Sequence, residues 1–376
     1  MRKITIVSSD DIILYQPTIL NLYDLLKLDF EINIISFTPE YLGKKREQDK
    51  NIDYITPNKY IKFIYRKSDL LLNAFLKRVD KYLIKTQHRA SFYRDFQARL
   101  LAKSLKKYIG NVIIAVDPMP LYVAQKTIGS AHFLSLEMIP NDPYFKKVDS
   151  SKIISVIIQN QYRYDFLFKE KSIRTFFIQN APLQNTSYIN QSNREGLIWA
   201  GTIVKDFAIL DCLNFIEKHN EYTLTLKGAF EKSTQMIIEN NYQHLLSSNR
   251  VKVNNEYLKA EDFIKFISNF KIGFCFYNWD LIKSNYNYET APSGKLFVYL
   301  AAGVPVIASN VKAFKFLETA GAGVLVDDYE PETLFNAIKK IENSFQEYSS
   351  NAYKAFQENC FDINAIPFKA YLLNNA

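Results

Sequence analysis

The sequence reads as an α/β protein built from two doubly wound, Rossmann-like domains, and three observations carry that reading. Short β-branched apolar runs alternate with helical stretches along both halves of the 376-residue chain, the pattern of parallel sheets with crossover helices. The length allows two cores of ordinary size. Residues 181–195 (APLQNTSYINQSNRE) are polar, turn-rich and aperiodic, which places a linker there. The expected division is therefore a domain over 1–180, a linker over 181–195, a second domain over 196–350 and a tail over 351–376.

In the first half, residues 4–8 (ITIVS) form a strand, a helix follows over about 18–27, and 31–37 (EINIISF) is a second strand. This is a βαβ opening. No G-x-G-x-x-G follows the first strand, where Val7-Ser8-Ser9-Asp10 stands, so a dinucleotide-dependent dehydrogenase is disfavoured. Residues 54–65 (YITPNKYIKFIY) read as strand and loop rather than helix. From about 70 to 108 the pattern is helical. Phe75, Leu76, Val79, Tyr82 and Leu83 recur at three- and four-residue steps, with Lys77, Arg78, Lys81 and Lys85 between them. Strands over 111–116, 131–136, 152–158 and 174–178 complete a sheet, with helices near 121–126 and 166–171. Asp117, Glu137 and Asn160 stand at carboxyl ends of these strands, where open α/β sheets form their ligand crevices. Asp117 is read either as the cap of the next turn or as a reactive carboxylate. Glu137 is read either as an ordinary exposed acid or as a reactive one.

Composition narrows the class. Apolar residues make up 48% and charged residues 23%, as in soluble globular proteins. The 25 Tyr and 28 Phe are spread throughout and read mainly as core. Cys212, Cys275 and Cys360, like the four histidines, lack metal-ligand spacing, and the odd cysteine count argues against a disulfide framework. They read as reduced core thiols of a cytosolic protein. No eighteen-residue apolar run is present, and the N-terminal apolar run is too short for a signal peptide, so a first strand is expected there. Charge is uneven: residues 1–185 carry 29 Lys and Arg against 18 Asp and Glu, and residues 59–107 alone carry 14 against 3. No helix-turn-helix, zinc finger or RNP-like run accompanies that excess, which disfavours nucleic acid. A basic amphipathic helix of this kind lies on an anionic lipid surface or packs its apolar stripe on its own domain.

The second half restarts with GLIWA (196–200) as a strand, leading into Gly201-Thr202-Ile203-Val204-Lys205. Helices over 208–219, 234–246 and 261–268 alternate with strands over 222–226, 250–254 and 272–276. A long Asn- and Tyr-rich loop spans 277–291. Then comes PSGKLFVYLAAGVPVIASN (292–310). Pro292 fits just before a helix start, and Gly303 fits just after its end. The N–H groups of Ser293, Gly294 and Lys295 with the Lys295 charge suit a phosphate. A helix over 314–319, a strand over 324–326, a helix over 331–342 and a helical tail broken at Pro367 close the chain.

The pattern P-x-x-K followed by a helix ending A-x-G-x-P-V-I, here Pro292 to Ile307, resembles the donor-site signature of GT-B glycosyltransferases, in particular the family-4-like group. The resemblance implies two Rossmann-like domains facing across a cleft, with the last helix crossing back onto the first domain. It implies a nucleoside-diphosphate sugar, UDP-linked first, held by the second domain without a resident cofactor or metal. The diphosphate would meet Gly201, Thr202, Lys205, Ser293, Gly294 and Lys295. The nucleoside and sugar would meet Tyr257, in the loop near the base, then Asn278, Tyr288 and Glu289 in the 277–291 loop, which otherwise reads as a mobile surface segment, and Pro292 just after it. Asp117, Glu137 and Lys295 are the catalytic candidates. Family-4 likeness implies retention, with the leaving phosphate taking the acceptor proton, whereas an inverting enzyme needs Asp117 or Glu137 as base. The implied acceptor is a saccharide or a lipid-linked one, in bacterial-type surface polysaccharide or glycoconjugate assembly. Peripheral contact with the inner face of an anionic membrane is expected through 59–107, and no nucleic-acid partner. One departure stands out: the two glutamates usual in family 4 are replaced by Thr290 and Val298, with Glu289 one residue away. That departure motivates the alternative of a catalytically silent GT-B protein that binds nucleotide sugar or supports a partner transferase. A GT-B epimerase ranks lower, because the second domain offers few carboxylates and histidines.

Overall fold

The computed structural model describes residues 1–9, 16–38, 52–80, 91–138, 142–169, 171–184 and 193–375, with the side chains of 75–80 and 284 excepted. The apolar stripe and the cations expected over 75–85 therefore lie outside the described residues, as do Asp10, Asp11 and most of the 181–195 stretch. The chain divides into two compact units, one comprising Met1–Ile158, Glu170–Phe176 and Pro367–Ala376, the other Gln159–Lys169 and Phe177–Ile366.

The first half runs β1 (Lys3–Val7), α1 (Pro17–Leu26), β2 (Glu31–Phe37), β3 (Ile52–Ile55), α2 (Lys59–Asp80), α3 (Phe92–Leu105), β4 (Val112–Val116), α4 (Pro118–Thr127), β5 (Ala131–Leu134), β6 (Ile153–Ile158), α5 (Gln161–Phe168) and β7 (Thr175–Phe177). The strands lie in the order β3-β2-β1-β4-β5-β6-β7, and those from β3 to β6 pair in parallel. The near-continuous apolar runs of β1, β2, β4 and β6 are largely buried, as expected where helices cover a parallel sheet on both faces, while the edge strand β3 is half-buried. Residues 60–65, read as strand and loop, are instead the first turns of α2. The reason is local: Pro57 ends the extended run, and the Asn58 side chain accepts from the N–H groups of Tyr60 and Ile61 at 3.0 and 3.3 Å, which starts a helix.

The second half runs β8 (Leu197–Ala200), α6 (Ile209–Lys218), β9 (Leu224–Lys227), α7 (Lys232–Asn241), α8 (Gln243–Ser247), β10 (Val251–Asn254), α9 (Ala260–Ile267), β11 (Ile272–Cys275), α10 (Trp279–Ser284), α11 (Tyr286–Thr290), α12 (Gly294–Ala301), β12 (Val306–Ser309), α13 (Phe316–Thr319), β13 (Gly323–Val326), α14 (Pro331–Asn343), α15 (Phe345–Asn359) and α16 (Phe361–Asn375). All neighbours in the order β10-β9-β8-β11-β12-β13 are parallel. Alternation along β8 shows the double coverage. Leu197 and Trp199 enter the core shared with α6 and α14, and Ile198 and Ala200 enter the one shared with α9, α12 and α15.

Three expected boundaries shift. The helix expected over 234–246 is two, interrupted at Tyr242, whose φ of −123° leaves the helical region. The 277–291 stretch is not a loop but the helices α10 and α11, because Asn278 and Asn285 accept from Asp280 and Asn287 N–H groups and cap them. The tail breaks at Cys360, whose ψ is 152°, while Pro367 sits inside α16. Beyond Pro367 the tail belongs to the first unit. There Phe368 packs edge-on to His132 and Phe176, and Lys369 pairs with Asp29 at 2.5 Å. Among the described residues no helix is long and apolar enough to cross a membrane.

One contact ties α12 to the sheet. β8 and β11 pair only at Leu197–Ile272 and Ile198–Gly273 and then part. The buried Tyr299 hydroxyl sits in the parting, accepting from Ala200 N–H at 2.7 Å and donating to Phe274 C=O at 3.2 Å. Tyr299→Phe therefore leaves a buried N–H without an acceptor and is expected to lower stability by about 1–3 kcal/mol, read as a fall in the urea midpoint at unchanged m-value.

Candidate functional site

In the second unit the strand order reverses between β8 and β11, so the chain leaves these two strands in opposite directions and opens a crevice at their carboxyl ends. The turn after β8 is built on a close approach of two glycines. Gly201 donates to Lys227 C=O at 2.9 Å, and Gly228, which follows β9, donates to Asn254 C=O at 3.0 Å. A Cβ on Gly228 would lie 2.0 Å from the Gly201 carbonyl oxygen, and its φ of +142° is itself a conformation that side chains resist. Backbone polar groups are thereby brought to the rim without side chains covering them. Thr202 is exposed on this turn. A 3₁₀ turn over Lys205–Phe207 continues it, fixed by Lys205 N–H donating to the Thr234 hydroxyl at 3.0 Å, while the Lys205 side chain reaches solvent.

α12 points its N-terminus at the same place. Ser293 is its N-cap residue, extended at ψ 131° and without a side-chain cap bond. Its hydroxyl instead reaches the buried Cys275 thiol. A Schellman arrangement closes the other end: Gly303, at φ +64°, donates to Leu300 C=O and Val304 donates to Tyr299 C=O, both at 2.9 Å. The Lys295 stem runs beside Gly201, its Cδ 3.8 Å from where a Gly201 Cβ would be. Its ammonium lies 3.6 Å from the centre of a Trp199 ring and 5.4 Å from that of Phe207. Among the described residues no carboxylate pairs with it. Burial pulls its pKa from the ordinary 10.5 down to about 8. A cation held by aromatic faces at a helix N-terminus, with no carboxylate opposite among the described residues, has the chemistry to receive an anion.

The remaining sequence candidates fall unevenly around this point. Asn278 N–H donates to Asp206 C=O at 3.0 Å, which joins the start of α10 to the Lys205–Phe207 turn, while its side chain caps α10. Tyr288 lies edge-on to Tyr277 and Phe207, at 5.2 and 6.4 Å. Pro292 is buried. Gly294 meets Asn180, whose amide nitrogen would be 3.1 Å from a Cβ there. Glu289 pairs with Lys312 at 2.9 Å. Thr290 is buried, its hydroxyl donating to Tyr286 C=O and its carbonyl accepting from Asn160. Val298 is half-buried on α12, and Tyr257 is exposed beyond the edge strand β10. The structure thus gathers Gly201, the 205–207 turn, Asn278, Tyr288, Ser293, Gly294 and Lys295. It leaves Tyr257 at the margin and commits Glu289 to an ion pair. Sequence reasoning missed Trp199, Phe207 and Gly228. Trp199 was legible only as one of two alternating faces of a strand, and nothing local announces that it meets a lysine from α12.

α5 packs against this loop region within the same unit. The Arg163 guanidinium, fully buried, donates to the Asn287 side chain at 2.9 Å, and Phe166 stacks on Tyr286 at 4.5 Å.

In the first unit the reversal lies between β1 and β4. A small cleft of about 160 Å³ there is lined by Ser8, Ser9, Gln16 and Asp117 among others. Asp117 has φ +65° and ψ 173°, a strained conformation for a non-glycine residue. Its side chain does not cap α4. One carboxylate oxygen accepts from Leu136 and Glu137 N–H at 2.9 and 3.0 Å, which fixes the turn after β5. Glu137 itself is exposed.

Neither the protein-family models nor the curated proteins contain a match to this chain. Solved structures do. HepE of Anabaena, in complex with UDP, is 13% identical with a TM-score of 0.70, each chain covered over its full length. The sucrose-phosphate synthase of Thermosynechococcus elongatus is 13% identical with a TM-score of 0.68, covering 100% of this chain and 99% of its own. A UDP-forming trehalose-phosphate synthase of Burkholderia xenovorans is 12% identical with a TM-score of 0.67, covering 99% and 100%. These are GT-B glycosyltransferases, and the chain shares the GT-B fold with them.

Two substitutions probe this geometry. Gly228→Ala is expected to cost more stability than Gly129→Ala. Both glycines have positive φ, but a Cβ at Gly129 meets nothing within 4 Å, whereas one at Gly228 must displace the Gly201 carbonyl. Equal melting temperatures for the two variants would contradict the close approach. Lys295→Met is expected to melt above the parent in the absence of ligand, because it removes a desolvated charge that no carboxylate among the described residues pairs with. The sign with pH follows. The unfolded chain keeps this proton up to about 10.5 and the folded one releases it near 8, so the Lys295 penalty is relieved as pH rises through that window. The gap between variant and parent should close accordingly.

Proposed function

We propose that the protein is a glycosyltransferase that moves a sugar from a nucleoside-diphosphate sugar, UDP-linked, to a saccharide or lipid-linked acceptor. The single observation that carries this reading is the Lys295 ammonium at the N-terminus of α12, without a carboxylate partner among the described residues and beside the bare backbone of the Gly201 turn. A diphosphate is the anion that uses both groups. Its charge grows as the glycosidic bond breaks, and donors already aimed at that charge lower the barrier most. Lys205, exposed on the adjacent turn, adds a second cation. Thr202, Ser293 and Gly294 supply N–H groups, and Tyr288 with Asn278 borders the place for sugar and nucleoside. UDP is favoured because HepE, of the same fold, was solved with it.

The reaction in this reading is metal-independent and retaining, with the departing phosphate accepting the acceptor proton. Asp117 is the base of the inverting variant, and its strained backbone at the first unit's strand reversal is what supports it over the exposed Glu137. Hexosyl transfer in surface polysaccharide or glycoconjugate assembly, with the first unit touching an anionic membrane face through 59–107, completes the reading. The second reading, a silent protein that binds nucleotide sugar, is favoured by one observation. Thr290 and Val298 stand where carboxylates hold the ribose in family-4 enzymes, and the neighbouring Glu289 is paired with Lys312.

Thermal shift against UDP, GDP, CMP, dTDP and their sugars tests the donor site. UDP is expected to raise the melting temperature of the parent and not of Lys295→Met. Binding should weaken above pH 8, by up to tenfold per unit, as the free ammonium loses its proton. No shift with any nucleotide would overturn the donor assignment, and a shift without product from any acceptor would favour the silent protein.

A further inference from the structure

α5 lies between β6 and β7 in the chain, yet it belongs to the second unit, where it packs on α11. α11 needs a hold from outside, because its five residues are too few for a helix to stand by itself in water. α5 supplies that hold. The Phe166 ring stacks on Tyr286, with centroids 4.5 Å apart and planes 22° from parallel. The side-chain amide of Asn160, the N-cap of α5, donates to Thr290 C=O at 2.7 Å. The Arg163 guanidinium donates to the Asn287 side-chain oxygen at 2.9 Å. Tyr286 and Thr290 share a face of α11, and Asn287 stands beside it.

Arg163 is the member that packing alone does not explain. It is fully buried, and a guanidinium at that depth costs stability that an apolar side chain of similar volume does not. What the charged donor adds is direction: its bond to Asn287 fixes how α11 is turned about its own axis. That rotation bears on the candidate site twice. Tyr288, the next residue, lies edge-on to Phe207, one of the rings beside the Lys295 ammonium. Thr290, after Ala291 and Pro292, leads into Ser293, the N-cap of α12. Lys312 also meets α11, pairing with Glu289 at 2.9 Å and lying over the Tyr286 ring at 5.2 Å. Its side chain is 44% exposed, and ion pairs so open to water hold little.

We propose that Arg163 is a positioning residue of the donor site: it sets the rotation of α11, and thereby where Tyr288 and the start of α12 stand toward the ligand. Being fully buried, it acts through α11 and not by touching substrate. This role deepens the transferase reading and rests on it.

UDP titration calorimetry on the full chain, well below every variant's melting temperature, tests it together with amide hydrogen exchange. Arg163→Met keeps the bulk and removes the donor. UDP affinity is expected to fall at least about tenfold, the worth of one hydrogen bond from a charged group. Exchange over 286–296 should quicken while β8 and β9 keep the parent's protection. Arg163→Lys, which restores a charged donor, should recover most of the loss. Asn287→Leu should weaken UDP as much, and combining it with Arg163→Met should cost little more, since both act through one bond. Should Arg163→Met not fold, Arg163→Lys and Asn287→Leu carry the same comparison with the parent. A variant that melts lower but binds UDP as the parent does, or exchange that quickens evenly through the second unit, would reveal a structural role only and overturn the inference. Fully additive losses would do the same. A parent that binds no UDP sinks the donor reading, and exchange then decides alone: quickening confined to 286–296 supports the hold on α11, and unchanged exchange overturns it.

Discussion

The second unit depends on how two parting strands are held together at their open end. β8 and β11 run side by side for two residues and then separate, because the chain leaves them toward opposite faces of the sheet. Separation strips the last backbone groups of their ladder partners in a place without water. The Tyr299 hydroxyl restores one donor and one acceptor at once. Since Tyr299 belongs to α12, that repair also fixes where the helix begins. The N-terminal N–H groups and Lys295 are placed by a core hydrogen bond made at Tyr299, four residues beyond Lys295. Gly273 allows it: a Cβ there would stand 2.7 Å from the tyrosine ring.

The same geometry explains a charge held where folding alone would not keep it. Lys295 is pressed against Trp199, with Phe207 near, and faces no carboxylate among the described residues. Burial lowers its proton affinity, so keeping it charged costs the fold stability that the Trp199 and Phe207 rings offset in part. A cation without a carboxylate partner among the described residues, beside uncovered backbone at a strand reversal, is the feature on which the proposed diphosphate site rests.

The two units use positive charge differently. In the second, single cations are placed by aromatic rings and turns around one crevice. In the first, four cations share one face of α2 with exposed apolar side chains. The arrangement in the second unit suits a small, closely seated anion in a dry place.

By itself the sequence determined the layering and the principal helix. Repeated β-branched runs can be buried only between two helical layers, and Pro292, Ser293 and Gly303 bound α12 through backbone chemistry that needs no distant partner. It also showed that the basic excess lies within 59–107. Local capping by Asn58, Asn278 and Asn285 was written in the chain as well, but Asn serves loops and helix starts alike, so 60–65 and 277–291 read as loops. Tertiary structure alone decided which groups converge. That Lys295 rests on Trp199, that Gly228 abuts Gly201, that Glu289 is spent on Lys312, and that Asp117 holds the next turn instead of capping its own are contacts between residues distant or equivocal in sequence. Periodicity tells which face of an element is buried. Which partner waits on the other side is set by how the elements pack, and that information is not local.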